Sequence, residues 1–219
     1  MKIAVLGINY WPDETGIAPF TTGKCEYLAS CGHVVTAFTG MPYYPAWKVP
    51  HNYRRRFSIQ ENKSGVLIVR SWLYVPKRLN SVKRIVHEAS FVTSAFLRSL
   101  GSGGKNRPDL LIVITPPLAL GLAAFVLSRK WKIPFIQHVA DLQPDAAVDL
   151  GMLSPTGFTR VLYAIERLSY KKATAVSTLT ASMREKIIEK GIEPEKVILS
   201  PDWARPELFS IPWEKENEL

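Results

Sequence analysis

KIAVLGINYWPDETGIAPFTTGKCEYLASCGHVVTAFTG, residues 2–40, alternates between two kinds of local structure. An apolar run at 2–8 predicts a buried strand, and Gly7 interrupts this run. Residues 17–32 have the character of a helix that ends at a glycine, and residues 33–40 return to a strand-like pattern. A strand, a helix and a strand in this order predict two parallel strands joined by a crossover helix.

The rest of the chain continues this alternation. Continuous apolar strands between helices indicate a parallel sheet that is covered on both faces. We therefore predict an α/β fold, a doubly wound, mostly parallel, Rossmann-like sheet with helices on both faces. The chain turns polar after Pro206, so we predict one domain over 1–205 and a linker or tail over 206–219. The further predicted strands are 66–75, 109–115, 134–140, 174–177 and 196–202, and the further predicted helices are 80–100, 116–131, 156–173 and 178–191.

Four loops leave the carboxyl ends of the predicted strands. In doubly wound sheets, ligands bind outside these ends. We therefore look for functional residues in the loops 7–16, 40–55, 115–117 and 139–150.

Composition and charge limit the class of partner. The chain has 28 Lys and Arg against 19 Asp and Glu, a net charge of +9 that implies an anionic partner: nucleic acid, anionic lipid or a phosphorylated ligand. No nucleic-acid-binding motif is recognisable, so we expect no nucleic-acid partner. Two cysteines make no disulfide framework and fit a reduced cytoplasm. We expect no metal, since no ligand spacing is visible, and the longest apolar stretch, 116–128, is too short to span a bilayer.

The loop at 7–16 lacks both common phosphate-binding patterns. After Gly7 the chain has Ile8 and Asn9, so the G-x-G-x-x-G fingerprint is absent, and no Walker A sequence occurs. Gly16 nevertheless stands just before a helix, where backbone N–H groups and the helix dipole favour an anion and a glycine permits close approach. The alternative is that Gly16 only caps the helix.

Two further loops carry candidate binding residues. In QHVADLQPDAAVDLGML (137–153), His138 and Asp141 follow a strand and can orient sugar hydroxyls or handle a proton. Alternatively, Asp141 caps the next helix and His138 is a buried histidine with its hydrogen bonds satisfied. In TGMPYYPAW (39–47), Tyr43 and Tyr44 can stack on a sugar ring or cover the core.

The predicted helix at 80–100 is amphipathic. An apolar stripe of Val82, Ile85, Val86, Ala89, Val92, Thr93, Phe96 and Leu100 is expected to face the sheet. The opposite side is basic with one aromatic residue, a pattern typical of a helix at a membrane surface, although a solvated basic helix is equally consistent with it. The predicted membrane face consists of Lys83, Arg84, His87, Phe91 and Arg98.

Three segments together resemble a known enzyme family. NYWPDETGIAPFTTGKCEYLASCGHVVTAFTGMPYYPAWKV, HVADLQPDAAVDLGML and VSTLTASMREKIIEKGIEPEKVILSPDWARPELF are similar to the N-terminal half of retaining family 4 bacterial glycosyltransferases of capsule and colanic-acid synthesis. These enzymes have the GT-B architecture of two Rossmann-like domains. The resemblance extends over essentially the whole chain, and its first segment is the most specific.

The resemblance implies a set of roles. The N-terminal domain binds the acceptor, often a sugar on a lipid diphosphate at the inner membrane face, and the C-terminal domain binds the nucleotide-sugar, UDP- or GDP-linked, without any cofactor. The Gly16 loop reaches towards the donor phosphate, and His138 or Asp141 lies beside the transferred sugar. Asp13 and Glu14 are expected to hydrogen-bond acceptor hydroxyls. A cytoplasmic protein that is peripheral at the inner face of the cytoplasmic membrane is implied.

The second domain of that family has no counterpart in these 219 residues. Two Rossmann-like domains need roughly twice this length, so we expect the chain alone to be unable to catalyse hexosyl transfer. Two other functions fit the same pattern: a non-catalytic module that binds a lipid-linked sugar, and one half of a sugar-nucleotide epimerase.

Overall fold

The structure, a computed structural model, describes residues 1–101, 107–149, 151 and 157–203. These residues form a single sheet of eight strands with helices packed against it. The strands are β1 (Lys2–Leu6), β2 (Val34–Gly40), β3 (Ser58–Lys63), β4 (Val66–Ser71), β5 (Leu110–Thr115), β6 (Phe135–Val139), β7 (Ala175–Thr178) and β8 (Val197–Leu199). The helices are α1 (Ala18–Ser30), α2 (Ser81–Leu100), α3 (Leu120–Trp131), α4 (Gln143–Asp149), α5 (Gly157–Lys172) and α6 (Ala181–Glu189).

The order of strands across the sheet is β3-β4-β2-β1-β5-β6-β7-β8. Every neighbouring pair is parallel except β3 and β4, which form an antiparallel hairpin. The chain winds outwards from β1 in one direction, and after β4 it returns to β5 on the other side of β1. This reversal creates a switch point at the carboxyl ends of β1 and β5, the usual ligand position in such sheets. The predicted doubly wound α/β fold is confirmed.

Alternate side chains of β1 enter two separate apolar cores. Ala4 and Leu6 pack with residues of α2, α3, α5 and α6, whereas Ile3 and Val5 pack with Cys25 of α1. This is the period of two that a strand imposes on its side chains. We call the two sides of the sheet the α2 face and the α1 face.

Two elements lie where the sequence predicted none. β3 is an edge strand whose residues alternate between exposed and half-buried, and Ile59 is its one apolar side chain. A tight turn at Ser64 and Gly65, with φ of 49° and 78°, joins it to β4. Helix α4 occupies more than half of the predicted loop 139–150. The predicted linker at 206–219 lies outside the described residues.

The first half of helix α2 turns towards the sheet the side that the sequence assigned to the outside. The predicted stripe is correct only further along the helix, where Val92, Phe96 and Leu100 pack against the core. Phe91 is 0% exposed and His87 is 1% exposed, whereas Val82 is 69% exposed. The predicted membrane face is therefore wrong for His87 and Phe91, which are core residues. Of its other members, Lys83 is half-buried, and the side chains of Arg84 and Arg98 are exposed.

Hydrogen bonds explain this orientation of α2. The segment after β4 runs beside the helix: His87 Nδ1 lies 2.6 Å from the Tyr74 carbonyl oxygen, and Ser90 Oγ accepts from the Tyr74 amide at 2.8 Å. Ser94 Oγ donates to the Trp72 carbonyl oxygen. The polar side of α2 thus satisfies the backbone of the strand extension, and Val82, Ile85 and Val86 at the start of the stripe are left outside. Within the described ranges, no helix has the length and apolarity to cross a membrane.

Candidate functional site

The loop from β1 to α1 ends at Gly16, in a conformation that favours glycine. Gly16 has φ of +63°, and a Cβ atom there would lie 3.4 Å from Cε1 of the Tyr44 ring. Ile17, the N-cap residue of α1, makes no capping hydrogen bond with its side chain. The first turn of α1 therefore begins directly behind a glycine at the carboxyl edge of β1, which is the geometry for close approach of an anionic group.

Arg70 of β4 connects the loop after β1 to the ends of the neighbouring strands. Its side chain is fully buried, and its guanidinium donates to the Trp11 carbonyl oxygen and, at 3.2 Å, to the Gly40 carbonyl oxygen. The same group pairs with the Glu61 carboxylate. The loops after β1 and β2 are thus fixed to one buried cation, since guanidinium presents several donors in a rigid plane.

Asp13 joins the same two loops by hydrogen bonds of its own. Its carboxylate accepts from the backbone N–H groups of Tyr43 and Tyr44, and Asn9 Nδ2 lies 3.4 Å from Asp13 Oδ2. Burial raises the pKa of Asp13, and these hydrogen bonds partly offset the rise. The Glu14 side chain is exposed. Of the two predicted acids, Asp13 therefore connects the loops and Glu14 is the one open to solvent.

The two tyrosines have different surroundings. Tyr43 is buried, its ring centroid lies 4.6 Å from that of His87 and 5.3 Å from that of Trp47, and burial raises its pKa to about 12. Tyr44 stays partly exposed, edge-on to Tyr43 at 6.2 Å. Tyr44 is therefore the ring that a sugar can reach, and Tyr43 supports it from the core.

A polar cluster from α2 and α4 adjoins these loops. Gln143 Nε2 donates to both carboxylate oxygens of Glu88, at 3.0 and 2.8 Å, and Gln143 Oε1 accepts from the Leu118 amide at 2.8 Å. Arg84 Nε donates to Glu88 Oε1 at 3.2 Å. Desolvation by neighbouring groups raises the pKa of the Asp141 carboxyl, which lies at the surface, and the Arg84 guanidinium partly offsets that rise.

His138 lies on the other face of the sheet. Its Nε2 is 2.9 Å from Lys24 Nζ of α1, and its Nδ1 is 2.9 Å from Ser177 Oγ of β7. Lys24 also pairs with Asp202 at 2.6 Å. Because an ammonium group only donates, Nε2 is the acceptor and Nδ1 carries the hydrogen. Burial, followed by the charge of Lys24, lowers the pKa of His138 to about 4, so the ring is neutral at pH 7.

The structure thus separates the two predicted catalytic residues. Successive residues of β6 point to opposite faces, and His138 points towards α1, whereas Asp141 follows the strand and lies near Arg84 of α2. Gly16, Asp13 and the tyrosines do come together. The sequence prediction missed Asn9, Glu88 and Gln143, and it assigned Arg84 to the membrane. The sequence did contain one signal. Helix α2 follows a parallel strand, so it begins at the carboxyl ends of the strands and its first turns lie beside the site.

The arrangement offers hydroxyl and amide groups, carboxylates and an exposed aromatic ring around an open edge. Such groups bind polyhydroxylated ligands through hydrogen bonds and stacking. In the described part of the chain, no group of three or more His, Cys, Asp or Glu side chains is placed to hold a metal ion.

Comparison with known proteins assigns this geometry to a family. The family described as glycosyl transferase 4-like domain matches residues 15–203. The Escherichia coli (strain K12) protein named as colanic acid biosynthesis glycosyl transferase WcaI is 35% identical over 207 residues, which cover 93% of this chain and 50% of the relative. The chain therefore spans about half the length of this curated relative.

Solved structures agree in fold. Sucrose-phosphate synthase of Thermosynechococcus elongatus superposes with a TM-score of 0.63 at 15% identity, covering 94% of this chain and 49% of that one. Anabaena HepE, solved in complex with UDP and glucose, superposes with a TM-score of 0.52 at 12% identity, covering 95% of this chain and 46% of that one. Since the family match extends over most of the residues and the fold is that of these neighbours, the chain belongs to the glycosyl transferase 4-like family of GT-B glycosyltransferases.

Proposed function

We propose that this chain is the acceptor-binding N-terminal domain of a retaining glycosyltransferase that acts in cell-surface polysaccharide synthesis. The enzyme transfers a hexosyl group from a nucleotide-sugar to a lipid-linked saccharide. The observation that carries the proposal is the junction at the carboxyl edge, where the Gly16 loop, Tyr44 and the cluster around Glu88 meet at the switch point of the sheet. The name of the WcaI relative supports the choice of pathway class.

The donor is bound mainly by a second domain that these residues do not include. Two observations support this: the chain spans 50% of WcaI, and it covers 46% of HepE, which was solved with UDP and glucose. The donor is a UDP- or GDP-linked sugar, and no further cofactor is required. At the interface, the backbone of the Gly16 loop and the first turn of α1 approach the donor phosphate. The 219-residue chain alone is then inactive.

The side chains divide into contacting and positioning residues. Asp141 is exposed at the carboxyl end of β6, so its carboxylate accepts a hydroxyl of the transferred sugar. Both ring nitrogens of His138 are within hydrogen-bond distance of a partner, and the ring is neutral. His138 therefore positions Lys24 and the carboxyl end of β6 and does not transfer a proton. Tyr44 stacks on the acceptor, Glu14 hydrogen-bonds its hydroxyls, and Asp13 and Tyr43 hold the two loops in place.

The protein works at the inner face of the cytoplasmic membrane as a peripheral protein. A lipid-linked acceptor requires contact with the bilayer, and a net charge of +9 favours an anionic lipid surface.

Transfer of radiolabelled hexose from UDP- or GDP-sugars to a lipid-linked acceptor tests the proposal. In the complete enzyme, Asp141→Asn is expected to lower kcat/KM about 10- to 100-fold, since a hydrogen bond to a charged group is worth about 1.5–3 kcal/mol. His138→Gln should lower it less. Asp149→Asn, at an exposed acid on the far end of α4, is the matched control and should leave it unchanged.

Three results would contradict the proposal. Equal losses for Asp141→Asn and Asp149→Asn would remove Asp141 from the site. A larger loss of kcat/KM for His138→Gln than for Asp141→Asn would mean that His138, and not Asp141, contacts the transferred sugar. Turnover of a nucleotide-sugar by the 219-residue chain would show that no second domain is needed.

A further inference from the structure

We propose that Lys190 is a positioning residue for the candidate site, and that it acts through Asp145 in the first turn of α4. The inference rests on the proposed function, because it treats Asp141 as the residue that contacts the transferred sugar. Lys190 belongs to a largely buried set of polar side chains that joins helices α4, α5 and α6. We call this set the α4 network; its members are Asp145, Glu166, Tyr170 and Lys190.

The α4 network is centred on a fully buried carboxylate. Glu166 of α5 is 0% exposed, and its two oxygens have different partners: the Tyr170 hydroxyl donates to Oε1 at 2.9 Å, and Lys190 Nζ donates to Oε2 at 2.7 Å. Burial raises the pKa of Glu166, and the ammonium group of Lys190 offsets part of that rise. Because a buried carboxylate without its cation is strongly unfavourable, the pair holds Lys190, the C-cap residue of α6, in place.

Lys190 connects this buried pair to α4. The same ammonium group also pairs with the Asp145 carboxylate. Both side chains are mostly shielded from solvent, with 16% of Lys190 and 19% of Asp145 exposed, so water and salt screen this pair less than a surface pair. An ammonium group has three hydrogens to donate. One cation at the end of α6 therefore joins two carboxylates that lie on two other helices.

Asp145 lies one helical turn after Asp141. The Ala146 amide donates to the Leu142 carbonyl oxygen at 2.9 Å, so the helical hydrogen bonds of α4 begin directly after Asp141. Leu142 is buried in the core on the α2 face. A contact at Asp145 therefore fixes the turn that immediately follows the exposed Asp141 carboxyl.

The first turn of α4 is held from two sides. Residues two positions apart on a helix lie about 200° apart around its axis, so their side chains point in nearly opposite directions. Gln143 donates to Glu88 of α2, whereas Asp145 accepts from Lys190 of α6. The segment that carries Asp141 is thus fixed between α2 and α6. Loss of the contact with α6 leaves this segment attached to α2 alone by polar contacts of these two side chains.

The charges that surround Asp141 allow position and electrostatics to be separated. Burial raises the pKa of Asp141, the Arg84 guanidinium of α2 lowers it, and the Asp145 carboxylate raises it. From α5, the Tyr170 hydroxyl also interacts with the Asp141 charge. Asp145→Asn removes a negative charge and Lys190→Met a positive one, so the two variants shift the pKa of Asp141 in opposite directions while they break the same contact. A positioning role predicts the same loss of activity in both.

Hydrogen exchange of the α4 backbone amides tests the network without any substrate. The complete enzyme is compared with Asp145→Asn and, as a matched control, with Asp149→Asn. Asp149 is also an acid of α4 that pairs with a lysine of α6, Lys186 at 3.7 Å, but that pair is exposed, Asp149 to 68%. We expect the α4 amides to exchange about tenfold faster in Asp145→Asn and at the wild-type rate in the control. Equal exchange in the two variants would overturn the proposal.

Transfer kinetics of the complete enzyme test the role of the network in the site. Asp145→Asn and Lys190→Met are each expected to lower kcat/KM about tenfold, because a small displacement of a contacting group is enough for such a loss. Asp149→Asn should keep the wild-type value. Lys190→Arg keeps the charge and the donors and should retain more activity than Lys190→Met. The double variant Asp141→Asn, Asp145→Asn should lose no more than Asp141→Asn alone, because the network acts through Asp141.

Asp145→Asn also protects the test against simple unfolding. Lys190→Met leaves the Glu166 carboxylate buried without its cation, so this variant can lose activity because it unfolds. In Asp145→Asn the buried pair of Lys190 and Glu166 stays intact. Urea unfolding followed by circular dichroism shows that each variant assayed is folded. Full activity of a folded Asp145→Asn enzyme would overturn the positioning role.

The remaining outcomes separate the network from the proposed function. Losses of Asp141→Asn and Asp145→Asn that multiply in the double variant would show that Asp145 does not act through Asp141. A loss in Lys190→Met with a gain in Asp145→Asn would assign the effect to charge and overturn positioning. Full activity in both Asp141→Asn and Asp145→Asn would refute the proposed role of Asp141, and the positioning role with it. A loss in Asp141→Asn alone would refute only the network and leave the proposed function supported.

Discussion

Helices α1 and α2 cover opposite faces of one sheet, and their sequences relate to burial in opposite ways. Helix α1 turns small and weakly polar side chains inwards, among them Ala18, Thr21 and Cys25. Helix α2 has a clear apolar stripe, yet its first half buries His87 and Phe91. The stripe residues Val82, Ile85 and Val86 are exposed there, and only its later members pack against the core. Amphipathicity therefore identifies α2 as a helix without showing which side meets the sheet. Hydrogen bonds to the strand extension at Tyr74 decide the orientation.

The largest change in stability should come from a substitution on the buried side of α2, compared with one on its exposed side. Phe91→Ala removes a fully buried ring and is expected to lower the free energy of unfolding by about 4 kcal/mol. Val82→Ala removes two methyl groups from a residue that is 69% exposed and should change it by less than about 0.5 kcal/mol. Urea unfolding followed by circular dichroism measures both. A larger loss for Val82→Ala would mean that the apolar stripe, and not Phe91, faces the sheet.

The comparison between the two faces extends to a pair of buried histidines. His138 lies under α1 and His87 under α2, and burial lowers the pKa of both. Beside His138, the charge of Lys24 adds to the effect of burial and the pKa falls to about 4, whereas the Tyr74 carbonyl group and Glu88 partly offset burial at His87. The α1 face should therefore respond more strongly to pH than the α2 face.

A pH series tests this difference. With a pKa of about 4 in the folded state and about 6.5 in the unfolded state, His138 binds fewer protons when folded, so its contribution to stability is present above pH 6.5 and is lost as the pH falls towards 4. We expect a loss of about 2 kcal/mol between pH 7 and pH 5. His138→Gln should remove most of this slope, while His87 leaves a smaller one. An unchanged slope would show that His138 does not titrate abnormally.

The sequence predicted local features well, but it predicted poorly which face of the sheet a single side chain meets. The predicted helix 17–32 is observed as Ala18–Ser30, because its apolar pattern and the glycine after it are local signals. Tyr44 meets Gly16 because their loops follow the neighbouring parallel strands β1 and β2. The environment of His138 depends on which face of the sheet its side chain meets. It also depends on Lys24 and Asp202, which are 178 residues apart in the chain. No local pattern encodes such contacts, which arise only when α1 and the chain after β8 are packed together.

The two glycines that flank α1 give a smaller expected change in stability than Phe91 or His138, and they separate strain from function. Gly16 and Gly32 both have positive φ, +63° and +83°, so alanine at either position should cost about 1 kcal/mol of unfolding free energy.

Their surroundings differ. A Cβ atom on Gly16 would lie 3.4 Å from the Tyr44 ring at the carboxyl edge, whereas Gly32 has nothing within 4 Å and lies at the opposite end of α1. Under the proposed function, Gly16→Ala in the complete enzyme is expected to lower kcat/KM at least tenfold, and Gly16→Val further, because a Cβ atom would hinder approach of the donor phosphate to the backbone. Gly32→Ala should keep full activity at the same loss of stability. Equal activity in the two alanine variants would mean that the conformation of Gly16 serves the fold alone, and that the loop after β1 lies outside the catalytic cleft.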